Sequence, residues 1–415
     1  GIPTPMATLL VFLVGAASAL KLVNEQHRHL TTDEGATHGE LPAFFHKTEN
    51  IYTELESLSS RCSHMEISNL STGKTTMKVV NFGASIGGPK KMKVLLYFGE
   101  HSREMISPES ALDFARHLCY EKEDTAEQAK SLLMKATIRM VPIVNHDGRK
   151  LVESGDFCHR TNAHNVDLNR NWDEHWQYSM AAETYPGEQP FSETETQILK
   201  KDAEEYKPNV FLTVHSGTLG LFTPWAYCST DPASLLERSH RSHRSLLEKY
   251  PVLEQKQKML DADQSVRSRI TDMKSLLDEI NPKYCRCEAG AAGVELPYLS
   301  PGTSMDWMFD KLNCDYAFAF EIYDGRSTGG YKYSDQDALM IQEGSVKRHS
   351  CFSLHEEAAN STIDSYDCFL MFNPSKEDKF TGAMDNWSKA YLELFQGLAK
   401  IEQSHGRLSN ATLSF

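Results

Sequence analysis

The chain has no basic stripe and no platform of interleaved aromatic and basic residues. Its 43 Lys and Arg are outnumbered by 57 Asp and Glu, for a net charge of −14 at pH 7. Nucleic acid is therefore not an expected partner, because such binding rests on neutralising phosphates. The apolar run Leu9–Ala19 is too short for a membrane span, which takes about 20 residues, so no stable membrane insertion is expected. No segment repeats elsewhere in the chain, which argues against solenoid and propeller architectures. Charged and aromatic residues are present in ordinary amounts, as a globular chain requires.

What is present begins at the N-terminus. Leu9–Val14 is apolar and Ala17-Ser18-Ala19 supplies small residues, so residues 1–19 read as a signal peptide, although no Lys or Arg precedes the run. Residues 20–47 are polar and read as a linker. Nine cysteines and the four sequons at Asn69, Asn360, Asn386 and Asn410 agree with a secreted, disulfide-bonded glycoprotein. The expected location is the secretory pathway, extracellular or vacuolar/lysosomal. An odd cysteine count leaves at least one thiol unpaired within the chain. Cys351 and Cys368 flank a polar stretch and are the first pairing expected. Cys285 and Cys287 are too close to pair comfortably, so each is expected to seek another partner.

From Thr48 onward, strand-length runs alternate with helical patterns. Val94–Phe98, Ile138–Val144, Val210–Val214 and Ala317–Phe320 are apolar on both faces, as strands in a covered sheet are. Ser107-Pro108-Glu109 and Ser192-Glu193-Thr194-Glu195 read as helix starts, and Asn386–Ile401 as a closing amphipathic helix. The expected fold is α/β, with a mixed, mostly parallel central sheet and helices on both faces. One domain is expected over residues 48–402. It carries surface excursions at about 229–284, read as solvated helices, and 336–366, and is followed by a tail over 403–415.

The chemistry sits where the strands end. Gly99-Glu100-His101-Ser102-Arg103-Glu104 follows the first run, and His215 ends the third. His101, Glu104 and His215 together make two imidazoles and a carboxylate. That set leaves a coordination position open and belongs to catalytic rather than structural zinc. Asn145 and Glu321 lie at the ends of the other two runs. In open α/β sheets the ligand crevice forms at the carboxyl ends of the strands.

Further motifs are Cys158-His159-Arg160-Thr161-Asn162, Val166-Asp167-Leu168-Asn169-Arg170-Asn171-Trp172, Tyr298–Trp307 and Phe318–Tyr323. With these in order, the chain resembles the zinc metallocarboxypeptidases of the pancreatic carboxypeptidase A type, over roughly residues 48–335 and through the closing helix. The stretch Gly148–Asp156 and the ending Glu321-Ile322-Tyr323 resemble a plant and algal branch of that family. The resemblance implies one Zn²⁺ held by His101, Glu104 and His215, with Glu321 as general base. It implies Arg160, or with a shifted alignment Arg149, as the oxyanion-stabilising arginine. Asn169 and Arg170 would grip the substrate's terminal carboxylate, Tyr298 would close over the bound residue, and Arg103 would serve a neighbouring subsite.

Met305 stands where the family sets the side-chain pocket. An apolar residue there implies a preference for hydrophobic C-terminal residues. The expected function is a zinc-dependent, monomeric exopeptidase acting on peptide or protein C-termini. The same zinc set also serves amidohydrolases of acylated amino acids or cell-wall peptides, which is the second reading. A binding protein without catalysis is the third, and it would have lost a ligand or the base.

Overall fold

Strand β1 (Met65–Thr72) and strand β2 (Thr75–Phe82) form a hairpin that opens the sheet. Ahead of them, helix α1 (Thr48–Arg61) buries Ile51, Leu55 and Leu58, the spacing of one helical face. Strand β3 (Met92–Phe98) leads to helix α2 (Ile106–Leu118), helix α3 (Ala126–Lys135), strand β4 (Ala136–Val141) and helix α4 (His146–Glu153). Helix α5 (Thr194–Tyr206), strand β5 (Val210–His215) and strand β6 (Thr218–Thr223) follow. The remaining elements are helix α6 (Leu253–Tyr284), strand β7 (Glu288–Ala291), helix α7 (Ala292–Glu295), helix α8 (Ser304–Asp310), strand β8 (Tyr316–Tyr323), helix α9 (Ser365–Phe372) and helix α10 (Glu377–Ser404). This computed structural model describes residues 40–86, 91–229, 253–325 and 365–408, with only the helical backbone given for 253–263.

The eight strands make one sheet in the order β1-β2-β4-β3-β5-β8-β6-β7. Pairings β3–β4, β3–β5, β5–β8 and β6–β7 are parallel, and β1–β2, β2–β4 and β6–β8 antiparallel. The sheet is thus mixed and mostly parallel, as the runs predict. Strand β5 is buried along its whole length. From Phe44 on, the chain is one compact unit.

The strand order reverses at β3, which lies between β4 and β5. A crevice opens at such a switch point, past the carboxyl ends of the two strands. His101 and Glu104 leave β3, and His215 ends β5. Gly99 allows the turn out of β3. Its φ is +66°, and a Cβ there would lie 2.9 Å from the Pro108 ring.

Several sequence expectations are corrected. Helix α2 starts at Ile106 rather than after Ser107, because the Ser107 hydroxyl donates to Val214 O at 2.6 Å instead of capping. Cys368 is bonded to Cys158, not to Cys351, which lies outside the described residues. Cys285 and Cys287 are bonded to each other, with Cα atoms 5.2 Å apart; the positive φ of Arg286 between them makes the turn. A third disulfide joins Cys62 to Cys119, and Cys228 is also disulfide-bonded. Cys314 is the buried free thiol among the described residues.

The stretch read as solvated helices contains α6, whose second half buries Met273, Leu276, Leu277 and Ile280. The closing helix α10 is longer than its apolar pattern and buries Trp387, Tyr391, Phe395 and Leu398. Asn69 is exposed on β1, whereas the Asn386 amide nitrogen donates to Tyr284 O and the Ser388 hydroxyl to buried Asp113. Asn360, Asn410, the signal-peptide segment and most of the linker, of the 336–366 excursion and of the tail lie outside the described residues. Among the described residues no helix is long and apolar enough to cross a membrane.

Candidate active site and metal centre

Two buried histidines and one buried glutamate converge in the crevice. His101 Nδ1 lies 2.7 Å from Glu104 Oε1, and His215 Nδ1 lies 3.0 Å from Glu104 Oε2. The two Nδ1 atoms are 3.1 Å apart. Two ring nitrogens at that distance cannot both stay bare without a proton or a cation between them. This donor set fits a metal ion, and zinc takes such ligands in catalytic sites. Burial opposes ionisation of Glu104, but the two histidines outweigh it and hold the carboxyl well below its ordinary range. Burial likewise opposes a charge on His215, yet Glu104 and Glu100 together raise it above its ordinary value.

A second His/Cys group, Cys62, His64 and Cys119, does not fit a metal. Its two sulfurs are joined in a disulfide, so no thiolate is present to bind one.

Sheet register brings Glu321 to this cluster. His215 on β5 is the direct partner of Glu321 on β8. Along β8 the residues Ala319, Glu321 and Tyr323 are less buried than those between them, so this alternation faces the crevice. Glu321 Oε2 is buried with no hydrogen-bond partner. Burial first, and then the neighbouring Glu104, raise its pKa above the ordinary glutamate range. A carboxylate with an orphan oxygen beside a metal site is placed to accept a proton.

Arg160 donates to Asp167 Oδ2 at 2.9 and 3.1 Å and reaches within 3.7 Å of Glu104 Oε1. Arg149, the alternative at the sequence level, is held elsewhere by Glu153 and by the carbonyls of His46 and Met105. The Arg160 loop is tied to the metal loop by Ser102 N–H donating to Arg160 O at 3.0 Å, and Cys158–Cys368 pins it to α9.

Arg170 donates to Asn169 O and Ser300 Oγ, and among the described residues no carboxylate lies within ion-pair distance of it. Asn169 is oriented through its Oδ1, which accepts from Ser304 N at 2.9 Å and Ser304 Oγ at 3.2 Å. Tyr298 is 51% exposed. Its phenol is nevertheless raised above its usual pKa, by burial first and then by facing Glu321. Met305 is buried in the first turn of α8.

Arg103 is already engaged. It stacks 4.2 Å from the Phe372 ring centre, donates to Cys158 O at 3.1 Å and pairs with Glu183 at 2.8 Å. Phe372 in turn packs where a side chain on Gly217 would stand, since a Cβ there would lie 2.5 Å from its ring. Asn145 is structural: it caps α4 by accepting from Gly148 N and donates to Glu100 O and Thr161 O.

Two residues of the site were not singled out from sequence. Asp167 meets His101 Nε2 at 3.1 Å as well as Arg160. Its signal was its place in the Val166–Trp172 motif. Glu100 is 1% exposed and lies 3.3 Å from His215 Nε2. Its signal was a carboxylate at the mouth of an apolar strand.

Comparison with known proteins gives a consistent picture. Residues 49–344 match the family model described as zinc carboxypeptidase. Carboxypeptidase B of Astacus astacus is 24% identical over 341 residues, spanning 78% of this chain and 98% of that protein. Carboxypeptidase A4 of Mus musculus is 25% identical over 308 residues, 70% of this chain and 64% of that protein. The crystal structure of thrombin activatable fibrinolysis inhibitor superposes with a TM-score of 0.56 at 19% identity, covering 89% of this chain and 79% of that one, which shows the shared fold.

Proposed function

Because the chain belongs to the zinc carboxypeptidase family, and is thus a zinc-dependent hydrolase that removes C-terminal residues from peptides, we propose a division of labour among its own residues. His101, Glu104 and His215 hold the single zinc. Bound zinc supplies Lewis acidity, polarising a carbonyl and making water a better nucleophile. Glu321 takes the proton of the attacking water and hands it to the leaving amine, so that one carboxylate serves both half-reactions. Arg160 places a fixed positive charge where negative charge develops on the carbonyl oxygen. Its two hydrogen bonds to Asp167 Oδ2 set the guanidinium plane.

Arg170 and the Asn169 amide receive the substrate's terminal carboxylate. Tyr298, half-exposed and near enough to Glu321 to be influenced by its charge, closes over the bound residue. The single observation that carries the exopeptidase reading is Arg170. A guanidinium beside the metal cluster with no carboxylate of its own among the described residues is matched to one that arrives with substrate. Arg103, paired with Glu183, bounds the next subsite. The amidohydrolase alternative has no observation in its favour.

Met305 makes the pocket apolar, and hydrophobic C-terminal residues are the preferred substrates. The chain belongs in the secretory pathway, a reading supported by its disulfides and by the exposed sequon at Asn69; that it works as a monomer is a separate part of the proposal.

The test is a set of peptides differing only in the last residue, incubated with zinc-loaded protein and read by mass spectrometry. Hydrophobic ends should be lost first, and Met305→Asp should shift the preference toward Lys and Arg. Faster release of basic ends by the parent protein would sink the pocket assignment while leaving the reaction class intact.

A further inference from the structure

Both histidines of the triad turn the same atom inward. Their Nδ1 atoms face Glu104 and each other, so both Nε2 atoms point outward. A ring nitrogen that binds metal must be bare, and the ring's proton then sits on the other nitrogen, which needs an acceptor. For His101 that acceptor is Asp167.

His215 Nε2 has three neighbours: Thr213 Oγ1 at 2.9 Å, Glu100 Oε2 at 3.3 Å and Asn169 Nδ2 at 3.3 Å. The Asn169 amide nitrogen is itself a donor and cannot accept the proton. The Thr213 hydroxyl gives its own hydrogen to Glu100 Oε2, which turns its lone pairs toward the imidazole. Glu100 is thus the acceptor at the end of both routes, directly and through Thr213.

Packing does not account for this carboxylate. Glu100 is buried at the mouth of an apolar strand, and among the described residues no Lys or Arg pairs with it. A buried carboxylate with no cation of its own is strongly unfavourable, so its placement needs a positive charge nearby, and the His215 N–H, polarised by a metal on the ring's other nitrogen, is the group in reach that would relay one. Ser304 also donates to Glu100 at 3.1 Å, while its N–H holds Asn169 Oδ1. Glu100 therefore links the third metal ligand to the residues that receive the substrate carboxylate.

We propose that Glu100 is the positioning residue of His215, the counterpart of Asp167 behind His101, so that each zinc histidine is backed by its own carboxylate. The proposal rests on the assignment of His101, Glu104 and His215 as the zinc ligands.

The experiment measures zinc affinity, not activity. Zinc-free parent, Glu100→Gln, Glu100→Leu and His215→Ala proteins are titrated with zinc against a chelating dye. Visible spectra of their cobalt(II)-substituted forms and melting temperatures of the zinc-free proteins are recorded alongside. Both Glu100 variants should bind zinc about 10–100-fold more weakly than the parent. Their cobalt spectra should be altered and their zinc-free melting temperatures near the parent's. Should Glu100→Leu fail to fold, Glu100→Gln, which keeps size and shape, carries the test. A folded Glu100→Gln with the parent's zinc affinity and cobalt spectrum overturns the proposal. A His215→Ala protein that still binds zinc like the parent overturns the ligand assignment, and the role of Glu100 with it.

Discussion

Glu321 and Arg170 divide the reaction between chemistry and grip, and single substitutions separate the two. Glu321→Gln keeps the shape of the side chain and removes the proton acceptor. Its kcat should fall by on the order of 10²–10⁴ while bound zinc stays at one per chain. Activity within tenfold of the parent would mean that another group takes the proton. Arg170→Ala removes a charged hydrogen-bond donor from the substrate carboxylate, a loss of roughly 1.5–3 kcal/mol, or about 10- to 150-fold in kcat/KM. The loss should appear mainly in KM for peptides with a free C-terminus. Equal loss toward C-terminally amidated peptides would show that Arg170 does something other than bind the carboxylate. At this scale the candidate metal group, and the position of Glu321 beside it, were legible in the sequence. His101 and Glu104 are close in the chain, and His215 and Glu321 each end an apolar run. Glu100 and Asp167 were not, because their roles exist only once His215 Nε2 and His101 Nε2 are turned toward them by the fold.

Elements were legible where burial repeats and illegible where one side chain decides. The strands follow from their apolar runs, and Glu321 is brought to the metal by the β5–β8 register alone. The start of α2 was misread because Ser107 looks like a cap but bonds across to β5. Pairing of Cys158 with Cys368 joins residues 210 positions apart, a contact that neither local spacing nor composition encodes. The tie between α2 and α10 has a pH signature. Burial opposes ionisation of Asp113, but His117, whose Nε2 lies 3.3 Å from its Oδ2, and the hydrogen bond from Ser388 outweigh it and lower its pKa. A carboxylate with a lowered folded pKa stabilises fully above its unfolded value of about 3.9 and loses that contribution as pH falls through the folded pKa. Asp113→Asn should therefore be less stable than the parent at neutral pH, with the difference shrinking below about pH 4. Urea midpoints measured across pH check this. A constant difference would mean that the tie owes nothing to charge.

At the scale of the whole molecule, the proposed zinc site lies at the switch point of the sheet, its ligands drawn from a loop and a strand end that the fold alone brings together. His101 and Glu104 come from the exit of β3 and His215 from the end of β5, 111 residues beyond Glu104 along the chain. The unfolded chain cannot hold these donors in one place, so zinc binds the folded state and stabilises it by mass action. Raising free zinc from 100 to 1,000 times the dissociation constant should add about 1.4 kcal/mol, and the melting temperature should climb with the logarithm of zinc concentration. A chelator should return it to the zinc-free value, and Glu104→Gln should flatten the dependence. Differential scanning calorimetry at several buffered zinc concentrations reads both effects. A melting temperature indifferent to zinc in the parent would mean that the triad does not hold the ion, and the roles assigned around it would have to be rebuilt.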